Sequence, residues 1–243
     1  MTLRLRQICL VSPTLEPAVA TLCDGLGLQV CYRDPNVAKY GLVNAVMPVG
    51  NTFLEVVAPT GADTAAGRYL ARRKGEGGYM VILECDDIAP WVAHLSAVGV
   101  RVAADLDYPG EYRGLQLHPR DTGGPLLEIN WSHGAADGAY HPAGPDWHGA
   151  LKDDSAPAIV GATIQAFDPV VLAKRWSLIL RRPFLEGTDC LTINLDSGAL
   201  RFVPVTDGRG EGLAAIDIRV AKMGASPGHG AVSLCGIHVQ LSE

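Results

Sequence analysis

The feature that most constrains the fold of this 243-residue sequence is an internal repeat with a constant spacing. Residues 7–19 and 80–92 each begin as a short apolar strand. Each then passes a capping residue and reaches a proline where the pattern predicts the first turn of a helix. A spacing of 73 positions separates three pairs of residues: Pro17 and Pro90, Leu22 and Leu95, and Glu55 and Glu128. A register kept across a strand, a helix and a later strand indicates a duplicated structural unit.

Each repeat unit is predicted to have the order β-α-β-β-β. After the helix, residues 29–50 and 101–125 alternate apolar residues with turn residues, which is typical of paired strands. A unit of this kind leaves one face of its sheet uncovered, so two units are expected to pack into one domain. The pattern therefore predicts an α+β fold.

The pattern pauses after the second unit and then resumes. Residues 132–157 are rich in Gly, Ala, Pro and Asp without periodicity, and they are interpreted as a linker or surface loop. The strand-helix pattern then returns, but Gly and Pro residues interrupt the last predicted helix, which makes the fourth module degenerate. The predicted boundaries are an N-terminal domain 1–131 (modules 1–75 and 76–131), the linker, and a C-terminal domain 158–243 (modules 158–210 and 211–243).

Composition and charge narrow the class of protein. The formal net charge of −6 and the lack of a basic block give no electrostatic reason to expect nucleic acid as a partner. No apolar run approaches the roughly 18 residues of a membrane span, and the first residues do not resemble a signal peptide. The six cysteines are widely spaced without a CxxC pair, which favours reduced thiols. A cytoplasmic protein that binds a small molecule is therefore expected.

Three segments carry a resemblance to a known superfamily. They are Asp86-Asp87-Ile88, Ala97-Val-Gly-Val, and the run from Leu117-His-Pro-Arg to Leu127-Glu-Ile. Together with the repeat, they resemble the vicinal oxygen chelate superfamily, and the last run is similar to the closing strands of methylmalonyl-CoA epimerases. The resemblance implies four βαβββ modules arranged as two paired-module, glyoxalase-like domains, with the substrate pocket of each domain enclosed by its pair of modules.

The resemblance also implies a set of metal ligands. Metal-using members present one ligand from the first strand and one from the last strand of each module, and these positions correspond here to Gln7, Glu55, Met80 and Glu128. Met80 departs from the histidine of the family, and a thioether suits hard or borderline divalent ions poorly. Gln7, Glu55 and Glu128 are accordingly the predicted ligands of one Mn, Ni, Zn or Mg ion, and a site without metal is equally open.

Two classes of function follow from these positions. In the first, Glu55 and Glu128 share one pocket as catalytic groups of a lyase or isomerase that moves a proton next to a carbonyl, with or without metal. In the second, a metal-free protein sequesters a small apolar compound. The predicted substrate-binding residues are Met80, Tyr79, His118, Trp131 and Arg201. Alternatively, His118 bonds to the backbone and the glutamates are solvent-exposed partners of arginines. A homodimer is left open.

Overall fold

The computed structural model describes residues 1–61, 63–151, 157–220 and 231–243, which form a mixed α+β structure with two seven-stranded sheets. The first sheet consists of β1 (Leu3–Val11), β2 (Leu42–Val49), β3 (Thr52–Pro59), β4 (Gly77–Cys85), β5 (Val102–Tyr108), β6 (Tyr112–Leu117) and β7 (Leu126–Ser132). The second consists of β8 (Ala158–Ala166), β9 (Phe184–Glu186), β10 (Leu191–Asn194), β11 (Ala199–Pro204), β12 (Gly212–Arg219), β13 (Ala231–Leu234) and β14 (Ile237–Ser242). The described α-helices are α1 (Leu15–Leu26), α2 (Ala65–Arg73), α3 (Ala89–Ala97), α4 (Pro119–Thr122) and α5 (Pro169–Leu180). The predicted fold class is confirmed.

Strand pairing in the first sheet reproduces the spacing of the sequence repeat. The strand order is β2-β3-β1-β4-β7-β6-β5. Gln7 of β1 pairs with Phe53 of β3, and Met80 of β4 pairs with Leu126 of β7, so both partners are shifted by the same 73 positions. β1 and β4 run antiparallel at the centre of the sheet, where the two units meet. The two units are therefore related by a pseudo-two-fold axis between these strands.

The second sheet has a similar plan. Its order is β13-β14-β12-β8-β11-β10-β9, with the antiparallel pair β8 and β12 at the centre and a parallel strand on each outer side of that pair. The third module contributes a complete β-α-β-β-β unit. The helix of the predicted degenerate fourth module falls on residues 221–230, which lie outside the described residues.

The first module differs from its predicted form. Residues 29–50 were expected to form a strand pair, but the segment before β2 makes only an isolated bridge between Tyr32 and Val46, followed by a 3-10 helix over Pro35–Tyr40. Asp34 caps this helix by accepting a hydrogen bond from the backbone N–H of Asn36, and the proline fixes the backbone φ angle of its first turn. In the second module the corresponding pair, β5 and β6, is formed as predicted.

A continuous apolar core joins the two sheets. Helices α1, α3 and α5 bury one face each against it, and the cores of both sheets belong to the same cluster. Contact between β4 and β12 is close: a side chain at Gly78 would collide with Leu213. Nearby, the Arg73 guanidinium donates to the carbonyl oxygens of residues 209–211, and Arg209 donates to the carbonyl oxygen of Arg73. The second sheet thereby holds the connection between α2 and β4 in place.

The segment predicted to be a linker packs against the first sheet over its described part. Tyr140, Ala143 and Trp147 are buried there, and the Tyr140 ring stacks on Phe53 with ring centroids 4.7 Å apart. Residues 152–156 of the segment lie outside the described residues. The predicted domain boundaries themselves stay a prediction. None of the described helices is both long enough and apolar enough to cross a membrane.

Candidate active site

A cavity of about 350 Å³ lies on the face of the first sheet that α2 partly covers. Gln7, Glu55, Met80 and Glu128, the four positions that the resemblance assigned to ligands, all line it. Side chains on alternate residues of a strand share a face, and the register of the parallel pairs puts both glutamates on the same one. The two halves of the repeat therefore each bring one carboxyl group to a shared interior space.

Glu55 is held by two carboxamides. Gln7 Nε2 donates to Glu55 Oε2 at 2.8 Å, and Asn44 Nδ2 donates to Glu55 Oε1 at 2.7 Å. The oxygen of the Asn44 side chain accepts from the backbone N–H of Asp34 at 2.8 Å, so Asn44 links Glu55 to the 3-10 helix. Glu55 is 8% exposed, and its burial raises the pKa of the carboxyl group above its ordinary value, against the opposing effect of these hydrogen bonds.

Glu128 has a different set of donors. The Tyr112 hydroxyl donates to Glu128 Oε1 at 2.6 Å, Asn130 Nδ2 donates to the same oxygen at 3.1 Å, and Gln116 Nε2 donates to Oε2 at 3.0 Å. Glu128 is 3% exposed. Three donors stabilise the charged form of a buried carboxylate. The two glutamates therefore occupy one cavity in unlike surroundings.

A second layer of contacts fixes the donors of Glu128. Asn130 Nδ2 lies 3.3 Å from the Tyr140 hydroxyl, which accepts from it. The Tyr140 ring stacks on Phe53, and the Arg6 guanidinium carbon contacts both rings, 4.9 Å from the Tyr140 centroid and 5.2 Å from the Phe53 centroid. Arg6 in turn is buried and paired with Glu84 at 3.3 Å. Tyr140, from the segment that was predicted to be a linker, thus supports the position of Glu128 through Asn130.

A β-bulge turns Tyr79 toward the cavity. Pairing with β1 passes from Met80 directly to Gly78, so Tyr79 is an extra residue on β4 and lines the cavity beside Met80. Its ring packs edge-to-face on Tyr69 of α2, with centroids 5.0 Å apart, and the Tyr69 hydroxyl donates to the Gly78 carbonyl oxygen at 2.7 Å. Burial raises the pKa of Tyr79, which keeps its hydroxyl neutral.

The donor set does not suit a divalent cation. Both oxygens of Glu55 and of Glu128 already accept hydrogen bonds, and those N–H and O–H groups would face a cation bound between the carboxylates. The thioether of Met80 is a soft ligand. Within the described ranges, no group of three His, Cys, Asp or Glu side chains is arranged to hold a metal. The ligand roles of Gln7, Glu55 and Glu128 stay a prediction, and no step below depends on a metal.

Two predicted substrate-binding residues lie away from the cavity. Trp131 is an odd number of residues from Glu128 on β7, so its side chain lies on the opposite face of the sheet, against the main core. His118 caps α4: its Nδ1 accepts from the backbone N–H of Arg120 at 3.2 Å. This backbone bond is the alternative that the sequence left open for His118.

Arg201 also lies apart from the cavity, on β11 of the second sheet. Its guanidinium forms an ion pair with Asp217 of β12, and its Nε donates to the Thr163 hydroxyl at 3.3 Å. Because Asp217 balances its charge, Arg201 lacks the free cation that an anchor for an acidic ligand requires. Of the predicted substrate-binding residues, the structure brings Met80 and Tyr79 to the cavity.

The three histidines of residues 132–157 lie in different places in the structure. His141 lies at the rim of the cavity, where its ring stacks on Tyr112 with centroids 5.3 Å apart and its Nδ1 lies 3.7 Å from a Glu111 carboxylate oxygen. His133 and His148 line a neighbouring surface groove instead. Sequence patterns had not connected His141 with the two glutamates.

Comparisons with known proteins agree with this architecture. The family model of the glyoxalase-like domain matches residues 8–176. Mitochondrial methylmalonyl-CoA epimerase of Mus musculus is 31% identical over 128 residues, which is 52% of this chain and 71% of that protein; the Homo sapiens enzyme is 30% identical, with 52% and 72% covered. A hypothetical protein from Staphylococcus aureus has a similar structure (TM-score 0.71, 14% identity, 100% of this chain and 99% of that chain). The last likeness shows the fold alone.

Proposed function

Because the chain belongs to the glyoxalase-like family of the vicinal oxygen chelate superfamily, we propose that its cavity catalyses an isomerase-type proton transfer at a carbon next to a carbonyl group. The observation that carries this proposal is the pair of buried carboxyl groups, Glu55 and Glu128, one from each half of the repeat, in one cavity. The sequence similarity to methylmalonyl-CoA epimerases supports an isomerase-type reaction. The substrate of those relatives is not carried over.

In this reaction one carboxyl group acts as the base and the other acts as the acid. Glu128, which accepts three hydrogen bonds, acts as the base: it removes the proton from the carbon and becomes a carboxylic acid. Glu55, whose pKa is raised by burial, delivers its proton to the other face of the same carbon and becomes a carboxylate. Atoms and charge balance, and each turnover leaves the pair in the inverted protonation state. The reverse direction starts from that state.

Neutral donors supply the stabilisation of the intermediate enolate. The carboxamide nitrogens of Gln7, Asn44 and Gln116 line the cavity, and each carries a second hydrogen besides the one given to a glutamate. An N–H group in a partly enclosed cavity stabilises a developing oxyanion more strongly than it would in water. The remaining wall, which includes Val57 and Ile82, is apolar and excludes water from the reacting carbon.

Deuterium uptake tests the reaction. The wild-type protein is incubated in D2O with N-acetylcysteamine thioesters that carry one hydrogen on the carbon next to the carbonyl, and exchange above the uncatalysed rate is followed by NMR. We expect Glu55→Gln and Glu128→Gln each to lower the enzymatic rate by about 10²–10⁴-fold. Glu16→Gln, a change at an exposed surface ion pair with Arg33, serves as the matched control and retains the rate. If neither glutamine variant lowers the rate, the assignment of Glu55 and Glu128 is wrong.

The same assay examines the predicted metal. It is run after EDTA treatment and again with added Mn, Ni, Zn or Mg. An unchanged rate agrees with proton transfer by the side chains alone, whereas a rate that depends on one ion restores Gln7, Glu55 and Glu128 as its ligands.

A binding protein without activity is the second candidate. The apolar wall around Met80, formed with Leu42, Val57, Ile82 and Leu126, favours it. Thioesters that bind the wild-type protein and both glutamine variants with equal affinity, with no exchange above background, would identify this function.

A further inference from the structure

The cations at the cavity are few and peripheral. Among the described residues that line it, Lys39 and His141 can carry a positive charge. Lys39 is exposed on the 3-10 helix and lies over the Tyr40 ring, and His141 is half-buried at the rim beside Glu111. Both groups lie at the outer edge of the cavity, whereas Glu55 and Glu128 are buried.

Arginines near the cavity are engaged elsewhere and do not line it. Arg6 pairs with Glu84 and donates to backbone carbonyl oxygens beneath Tyr140. On α2, the exposed Arg68 pairs with Asp63, and Arg72 lies over the ring of Tyr69. The described part of the chain therefore gives the inner cavity no counter-charge for an anion.

The groups that surround the two carboxyl groups at the sheet surface are neutral. Cys9 lies on the same face, next to Glu55 in the strand register. Its thiol is fully buried and supplies no positive charge. The hydrogen-bond donors around these carboxylates are neutral amides and one phenol, which orient the carboxylates without cancelling their charge.

From these observations we propose that the substrate is uncharged at its reacting end: a ketone or thioester with apolar or neutral polar substituents, rather than a malonyl-type compound with a carboxylate on the reacting carbon. A substrate carboxylate there would add a second negative charge beside the buried Glu128 carboxylate, and the described lining of the inner cavity supplies no cation to balance it. Apolar substituents, in contrast, fit the wall formed by Met80, Ile82 and Leu126. This inference rests on the proposed function, since it names the substrate class of the same cavity.

A pair of probes of nearly equal shape separates charge from size. The N-acetylcysteamine thioesters of 2-methylacetoacetate and of methylmalonate differ in that a neutral acetyl group replaces a carboxylate. Their dissociation constants for the wild-type protein are measured by calorimetry, and enzymatic deuterium exchange is measured in parallel. We expect the neutral thioester to bind at least 10-fold more tightly.

Charge-neutralising variants provide the matched control. Glu128→Gln removes the one negative charge of the pair while keeping the shape of the side chain, and we expect it to improve binding of the methylmalonyl thioester and to narrow the difference between the probes. Glu55→Gln replaces a protonated carboxyl group with an amide and is expected to leave that difference nearly unchanged. Glu16→Gln, which removes one negative charge from an exposed ion pair outside the cavity lining, is expected to leave the preference for the neutral probe unchanged.

The outcomes distinguish the substrate class from the reaction. Tight binding of the neutral probe without exchange refutes the proposed function and keeps the substrate class. Equal or tighter binding of the methylmalonyl thioester overturns the substrate class, whichever probe exchanges. Failure of both probes to bind overturns both proposals.

Discussion

The raised pKa of Glu55 makes a specific prediction about stability. A carboxyl group that binds its proton more tightly in the folded protein than in the unfolded chain favours folding at low pH. That advantage is lost as pH rises from the unfolded-state pKa, about 4.3, through the higher folded-state pKa. Glu55→Gln carries no titrating proton and lacks this loss. The variant should therefore gain stability relative to the wild type as pH increases through the window.

The size of the effect follows from linkage. While the folded protein holds one proton more than the unfolded chain, the free energy of unfolding of the wild type falls by up to about 1.4 kcal/mol per pH unit relative to the variant. Above the folded-state pKa the difference becomes constant. The amide introduced at position 55 places one N–H against a donor, but Gln7 Oε1 has no partner among the described residues, so rotation of that carboxamide restores the bond. Any residual cost, about 0.5–1.5 kcal/mol, is independent of pH.

Chemical denaturation of both proteins at a series of pH values from acid to weakly alkaline measures this difference. Glu16→Gln is the control, because its exposed ion pair with Arg33 contributes less than about 1 kcal/mol. The assignment of a raised pKa to Glu55 would be refuted if the free energy of unfolding of the Glu55→Gln variant, minus that of the wild type, stayed constant or decreased as the pH rose.

Three further outcomes are expected. Gly78→Ala should lower the unfolding free energy by about 1–3 kcal/mol, and adding Leu213→Gly should relieve part of that loss in a double-mutant cycle, because the new methyl group meets Cβ and Cγ of Leu213. Tyr140→Phe should cost about 0.5–1.5 kcal/mol and slow deuterium exchange through Asn130, whereas Tyr140→Ala should cost about 3–5 kcal/mol because its ring contacts are lost. In native protein, iodoacetamide should modify half-buried Cys190 faster than buried Cys9, as mass spectrometry would show; equal rates would contradict the burial of Cys9.

The internal repeat was enough to predict the duplicated plan and the shared face of the two glutamates. Strand side chains alternate, and the constant spacing of 73 positions puts Glu55 and Glu128 at equivalent places of two parallel strand pairs, so their common face follows from local rules. By the same alternation, Trp131, which lies three residues from Glu128 on the strand, is on the opposite face of the sheet from the cavity. Asn130, two residues from Glu128 in an otherwise apolar run, was a readable signal that the sequence analysis missed.

The groups that hydrogen-bond to the two carboxyl groups depend on tertiary packing. Asn44 and Gln116 reach them from β2 and β6, and the register of those strands depends on turns and on the 3-10 helix, which periodicity does not describe. Tyr79 reaches the cavity because of a bulge, and Tyr140 because its segment folds back onto Phe53. Such contacts join residues far apart in the chain, so their geometry is set by packing against neighbours that are absent from any local stretch of sequence.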